Sequence, residues 1–257
     1  MELRLNLNGK NKNIVIVLFV FTCLSCLSQN KFQVKYNMLT LFDGPKNYDA
    51  TLTFSDTNSC FEYQLTAKDT SRTEFQDENN VLHVSIPDKK THLLYINLKK
   101  RTISEVKNIG DLETKTLVKD SLDFPNWSIS QETKTISNHL CYKAITDFKG
   151  RKYEAWFTLD YPIKYGPWKL NGLPGLIIEV HDSRNEIYFE AKEIVTTDIE
   201  IKKEPKSLPV ISTSEYNDKL RKKFEDLERL INATGDRNMK TKMKFQINDG
   251  FEITNKE

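Results

Sequence analysis

Apolar and polar residues alternate along most of the chain after residue 30, which is the period of a strand with one buried face. Phe32, Val34 and Tyr36, for example, alternate with Gln33 and Lys35. Because successive segments lie close together in sequence, we expect antiparallel pairing, since parallel pairing needs long crossovers. The predicted strands lie at residues 32–36, 51–55, 61–66, 81–86, 93–96, 127–129, 141–145, 153–157, 176–180, 187–189 and 199–201.

One amphipathic helix is predicted near the end of the chain, at about residues 213–233. Ser212 followed by Glu215 has the spacing of a capping box, and Gly235 stands where a helix ends. We expect this helix to pack on the sheet, with partner binding as the alternative. The apolar residues at helical spacing are Tyr216, Leu220, Phe224, Leu227 and Ile231.

The first 28 residues have the pattern of a secretory signal peptide. A basic start precedes an apolar run at residues 14–24 and a small-residue exit. The run is too short for a membrane span, which needs about 20 residues. Cleavage after Ser28 is favoured, and lipidation at Cys23 or Cys26 is the alternative. We therefore expect export to the periplasm or cell envelope, a single domain over residues 29–257, and a polar tail from about residue 237.

Charge argues against a nucleic-acid partner. The full chain has 38 basic and 36 acidic residues, and removing the leader takes three of the former and one of the latter, which leaves 35 of each. A neutral mature chain has no long-range attraction for DNA or anionic lipid.

The mature chain also retains two cysteines, Cys60 and Cys141. In an oxidising compartment they could form one disulfide, or they could be two independently buried thiols.

The segment at residues 161–175 concentrates glycine, proline and aromatic residues between two predicted strands. Pro174 and Gly175 suit a type II turn in which the glycine supplies a positive φ, and Gly172 follows Asn171 in a second bend. Tyr161, Tyr165 and Trp168 either pack this loop onto the core or form a ligand or docking surface. These three aromatic residues and Arg151, in the turn at residues 150–154, are the candidate binding residues; Arg151 could hold an acidic group or be an ordinary turn charge.

The sequence shows no catalytic or metal-binding signature. A nucleophile elbow, a phosphate loop and paired metal-ligand motifs are all missing. His139 and Cys141 would share one face of a strand, but the other histidines, His83, His92 and His181, form no paired motif with them. We therefore predict no metal ion and no cofactor.

An ordered series of motifs resembles the GLPGLI family of secreted Bacteroidetes proteins. The residues Gly-Leu-Pro-Gly-Leu-Ile at 172–177 match its signature, preceded by Cys-Tyr-Lys-Ala at 141–144, Gly-Arg-Lys-Tyr-Glu-Ala-Trp-Phe at 150–157 and Gly-Pro-Trp at 166–168. The resemblance implies secretion but no established activity. By pattern, the strands and late helix also look like the half-barrel lipoprotein carriers of the periplasm.

These observations predict a mainly β (α+β) protein with a curved antiparallel sheet. The leading functional hypothesis is a noncatalytic envelope protein that binds a lipid or other hydrophobic ligand. The alternative is an interaction module of an outer-membrane assembly, such as an importer, that docks through the loop at residues 161–175. An enzyme with an unrecognised site is the third hypothesis.

Overall fold

The computed structural model describes residues 31–41, 44–67, 73–76, 82–85, 90–109, 115–234 and 251–252. The predicted signal peptide lies outside these residues, as does nearly all of the polar tail. The described part contains fourteen strands and one helix, α1 (Thr213–Thr234). The strands are β1 (Lys31–Thr40), β2 (Lys46–Phe54), β3 (Asn58–Leu65), β4 (Thr73–Gln76), β5 (Leu82–Ser85), β6 (His92–Asn97), β7 (Thr102–Asn108), β8 (Lys115–Ser121), β9 (Ser128–Ile136), β10 (His139–Phe148), β11 (Arg151–Thr158), β12 (Leu176–Asp182), β13 (Ile187–Thr197) and β14 (Val210–Ile211).

Twelve of these strands form one open, curved sheet, which confirms the mainly β prediction. Its order is β14-β8-β7-β6-β3-β2-β1-β13-β12-β11-β10-β9, so two meanders meet where β1 pairs with β13. β4 and β5 pair separately as a hairpin. The sheet is mixed rather than purely antiparallel, because β14 runs parallel to β8 after a long crossover.

The apolar positions of the alternating strands share one face of the sheet, which we call the core face. Val34, Leu52, Phe61 and Phe189 are all on it, and each is at most 1% exposed. The rings of Phe61 on β3 and Phe189 on β13 lie 6.2 Å apart although β2 and β1 separate these strands. This contact shows how strongly the sheet curls around its core.

Helix α1 confirms the predicted segment and its start. The Ser212 hydroxyl accepts a hydrogen bond from the Glu215 backbone N–H at 3.1 Å, as an N-cap residue does. Tyr216 packs against a small apolar cluster of Ile109, Val118 and Ile211, and its hydroxyl donates to the Asn108 carbonyl at 3.0 Å. The first turns of the helix therefore pack at the β8 end of the sheet, as predicted.

The predicted strand at residues 199–201 is wrong. After β13, residues 198–209 form no strand as they cross the face opposite the core, which we call the outer face, and reach β14. We call this segment the strap. Ile199 is 56% exposed and Glu200 is exposed as well, so the alternation of apolar and polar residues here does not mark a strand with one buried face. No helix in the described part of the chain is both long and apolar enough to cross a membrane.

Candidate functional site

The loop between β11 and β12 (residues 159–175) packs into the core rather than facing solvent. Trp168 and Tyr165 are only 2% and 3% exposed. The Trp168 ring lies 5.4 Å from that of Phe251, and the Tyr165 ring lies 5.7 Å from that of Phe54. The docking hypothesis required both side chains to face solvent, so it is wrong for these two residues. Packing of a long loop onto the core explains them instead.

This packing also bears on the hydrophobic-ligand hypothesis. A lipid in a half-barrel would lie along the core face, but that space holds the loop's own Trp168, Leu170 and Leu173, each at most 2% exposed. The Trp127 indole N–H fixes the loop by donating to the Asn171 carbonyl at 2.9 Å. The described residues therefore leave the core face filled by this chain's own side chains.

Tyr161 is the least buried of the three candidate aromatic residues, and it fastens the start of the loop. Its ring contacts those of Phe32 and His139 at 6.4 and 5.6 Å. The His139 imidazole in turn lies 2.7 Å from the Asp160 carboxylate, and this hydrogen bond lowers the pKa of Asp160. The contacts attach the loop to the first residue of β10, which is a structural role.

Gly172 and Gly175 have different roles, and the backbone conformation of Gly175 differs from the prediction. Gly172 has φ +99° and donates its N–H to the Lys164 carbonyl at 2.8 Å. Gly175 does not have the positive φ that the type II turn required, so that prediction is wrong. A Cβ on Gly175 would lie 2.0 Å from the Thr158 carbonyl oxygen, so glycine is needed here for close backbone approach. Pro174 between them is exposed at the surface.

Arg151 is buried, and its partners lie within the chain. One guanidinium nitrogen donates to Asp182 and to Glu186, both at 2.6 Å. The other oxygen of Asp182 accepts the backbone N–H groups of Glu186 and Ile187 at 2.7 and 2.9 Å. The predicted clasp for an acidic group therefore exists, but it holds this chain's own β12–β13 turn rather than a ligand.

Cys60 and Cys141 are separate buried thiols, which is the second of the two predicted alternatives. They lie on β3 and β10, six strand spacings apart in the sheet order, or about 29 Å along the sheet. Burial raises the pKa of Cys60 to about 12. Within the described ranges, no group of three or more His, Cys, Asp or Glu side chains is arranged to hold a metal ion.

A polar cavity of about 280 Å³ lies between the strap and the outer face of β1, β2 and β3. The floor of this cavity is formed by side chains of β1, β2 and β3 that lie side by side, because residues paired across strands point to the same face of the sheet. Three cross-strand rows result: Gln33 with Thr53 and Cys60, Thr51 with Glu62, and Asp49 with Gln64. Ile199, Glu200 and Lys202 of the strap complete the lining. We call this feature the strap cavity.

Charged residues two positions apart hold the strap on the outer face. The Lys202 ammonium donates to both carboxylate oxygens of Glu62, at 2.6 and 2.5 Å. Glu204 accepts hydrogen bonds from Ser104 at 2.6 Å and from Lys119 at 2.7 Å. Burial would raise the pKa of Glu204, but these hydrogen bonds outweigh it and lower the pKa. The wall of the strap cavity is therefore anchored to β3, β7 and β8.

The strap cavity is suited to a ligand rich in hydroxyl groups. Threonine and glutamine side chains both donate and accept hydrogen bonds, as hydroxyl groups do. Gln33 already donates to Thr53 at 3.3 Å, which orients that corner of the floor. Ile199 adds an exposed apolar contact at the rim.

Sequence reasoning missed the strap cavity, although part of the signal was present. Gln33, Thr51 and Glu62 are visible as the polar positions of alternating strands, which normally indicates a solvated face. The strap brings Lys202 to Glu62 across 140 residues of sequence, and no local pattern encodes that contact. The signal available in the sequence was a strand face of polar residues, followed later in the chain by a crossover segment that could cover that face.

Comparison with known proteins gives a family match and a fold match. The model of the family described as "N-glycanase peptide, N-terminal domain" matches residues 46–224. Two solved structures of PNGF-II, in space groups C2 and P21, align with TM-scores of 0.52 and 0.53 at 16% and 15% identity. Each alignment covers 75% of this chain and 33% of the PNGF-II chain, so this chain spans about a third of their length. No curated protein matches.

Proposed function

The chain belongs to the N-glycanase peptide, N-terminal domain family, and we propose that it is a noncatalytic domain that binds carbohydrate on glycosylated protein. The observation that carries this proposal is the strap cavity, a concave surface lined mainly by groups that hydrogen-bond hydroxyls. The family description supplies the substrate class, and the cavity supplies a place for it.

Three carboxylates outside the strap cavity, those of Glu154, Asp160 and Glu204, are held as anions rather than as general acids. A carboxyl group that acts as a general acid at neutral pH needs a raised pKa. Burial would raise the pKa values of Glu154 and Glu204, but hydrogen bonds, chiefly from lysine, outweigh it and lower both. At Asp160 the hydrogen bond from His139 is the largest effect, and it also lowers the pKa. These groups are held as structural ion-pair partners.

The lining of the strap cavity predicts modest affinity for a sugar. Its hydrogen-bonding groups lie on paired strands, so the backbone of the floor is rigid and little backbone entropy is lost on binding. Among the described residues that line it there is no aromatic ring, and Ile199 is the one large apolar side chain. We expect a Kd of about 0.1–1 mM for one glycan, which corresponds to about 4–5.5 kcal/mol.

Export is part of the proposal. The basic, apolar and small-residue pattern of residues 1–28 supports a signal peptide. We propose on that basis that the domain acts in the periplasm or cell envelope, where secreted glycoproteins are accessible. The resemblance to the GLPGLI family supports the same location.

The test compares a peptide carrying one neutral complex-type N-glycan with the same peptide after the glycan has been removed. Calorimetry should detect binding of the glycosylated peptide alone, and mass spectrometry of the mixture should show no glycan release. Thr51→Val removes a floor hydroxyl without changing side-chain shape and should weaken binding about three- to tenfold, in line with one lost hydrogen bond.

Thr196→Val is the matched control, because Thr196 pairs with the core-face residue Phe32 and lies outside the strap cavity. It should leave binding unchanged. Equal binding of both peptides, or equal effects of the two substitutions, would remove the proposed function; glycan release by the protein would show that it is catalytic.

A further inference from the structure

We propose that the strap cavity selects neutral over anionic glycans, and that Asp49 and Glu200 are the residues that determine this selectivity. The inference rests on the proposed function, because it concerns the ligand of the same cavity. It concerns a different property, namely the sign of the charge that the cavity accepts.

The charges that line the cavity are predominantly negative. Asp49, Glu62 and Glu200 carry carboxylates, and Lys202 is the one cationic residue among the described residues that line the cavity. Lys202 contacts both oxygens of Glu62, so these two charges neutralise each other. The floor and wall therefore present a net charge of about −2 to a ligand.

The side-chain carboxylates of Asp49 and Glu200 make no hydrogen bond or ion pair with any residue in the described part of the chain, and both residues are exposed. Asp49 lies on β2, and Glu200 lies on the strap that crosses over it. The nearest lysine along β1, Lys35, is engaged by Glu193 at 2.7 Å. The two free carboxylates thus act from the floor and from the wall on whatever occupies the cavity.

A carboxylate on the ligand would be repelled by both groups. At a separation of about 8 Å in a water-like dielectric, each like charge weakens binding about two- to threefold, and the two together about four- to ninefold. Surface charges are screened over about 10 Å at 0.1 M salt. The discrimination should therefore be largest at low ionic strength and fade as salt is added.

The experiment titrates the purified protein with one complex-type N-glycan in two forms, with galactose ends and with sialic acid caps. We expect the neutral form to bind about four- to ninefold more tightly in 20 mM salt and about equally in 0.5 M salt. In the Asp49→Asn, Glu200→Gln double variant the ratio of the two affinities should fall to about one, whatever happens to the absolute values.

The control double variant, Asp218→Asn with Glu225→Gln, removes the same two charges from helix α1 and should keep the wild-type ratio. If neither glycan binds, the proposed function itself fails. If both glycans bind equally to the wild type, or if the control changes the ratio as much as the cavity variant does, the proposed function stands and the selectivity inference is overturned.

Discussion

Replacing Gly175 with alanine should destabilise the protein through a steric clash rather than through backbone strain. The added Cβ would lie 2.0 Å from the Thr158 carbonyl oxygen and 2.8 Å from its carbonyl carbon. Both are backbone atoms at the end of β11, where Thr158 pairs with Leu176. A rotamer change cannot relieve the contact, so the first pair of the β11–β12 ladder must separate.

The magnitude follows from the shift that the clash requires. Ordinary contacts begin near 3.4 Å, so the two backbones must move apart by more than 1 Å. Overpacking a core costs about 1–3 kcal/mol, and we expect Gly175→Ala to fall at the top of that range, about 3 kcal/mol. For a domain of this size that would lower the thermal midpoint by about 6–12 °C.

Urea unfolding followed by tryptophan fluorescence measures the effect, and Gly172 provides the contrast. Gly172→Ala meets a side chain, that of Phe124, at 3.2 Å and has a positive φ, so its cost of about 1–2 kcal/mol is mainly conformational. Asparagine tolerates positive φ, so it should relieve part of the loss at residue 172 but none at residue 175. Better tolerance of asparagine than alanine at residue 175 would refute the close-approach explanation and restore the type II turn.

Three further predictions concern the interior and the strap. Asp182→Ala leaves Arg151 without its fully buried partner and should cost about 3–5 kcal/mol in urea unfolding; a loss under 1 kcal/mol would show that the buried pair is not important for stability. Cys60 and Cys141 should react very slowly with a thiol reagent at pH 8 in the folded protein, and reductant should leave the unfolding midpoint unchanged, whereas a reductant-dependent midpoint would indicate a disulfide. Hydrogen bonds from Lys119 and Ser104 lower the pKa of Glu204 in the folded state. The stability that Glu204 contributes is therefore fully present above the ordinary glutamate pKa of 4.5, and it is lost as the pH falls through the lower pKa of the folded state. Glu204→Gln should therefore flatten the acid limb of the stability profile, and an unchanged limb would contradict that contribution.

The strands whose apolar positions reach the core were predictable from sequence, because burial on one face imposes a two-residue period. β1, β3 and β11 show this period clearly. β7 and β8 escaped prediction because their outer face is covered as well: the strap buries Ser104, so a polar residue occupies a position that is not solvated. The period does not distinguish a solvated polar face from a covered one.

The parts of the site that depend on distant contacts were not predictable. Arg151 stands in a turn that favours an exposed charge, and its burial follows from partners 31 and 35 residues away. Trp168 stands among turn-forming residues, yet the curl of the sheet gives its ring a buried position beside Phe251. Local residue types indicated that both positions were unusual, but tertiary packing decided what each side chain contacts.

The most direct test of the account is to locate the ligand on the protein by NMR. Amide signals of the labelled protein would be followed during titration with the galactose-ended N-glycan. We predict that the shifts cluster at Thr51, Glu62 and Lys202 around the strap cavity, while the signals of Trp168 and its loop stay unchanged. Saturating titration with no shifts, or with shifts centred on the β11–β12 loop, would contradict a carbohydrate site under the strap.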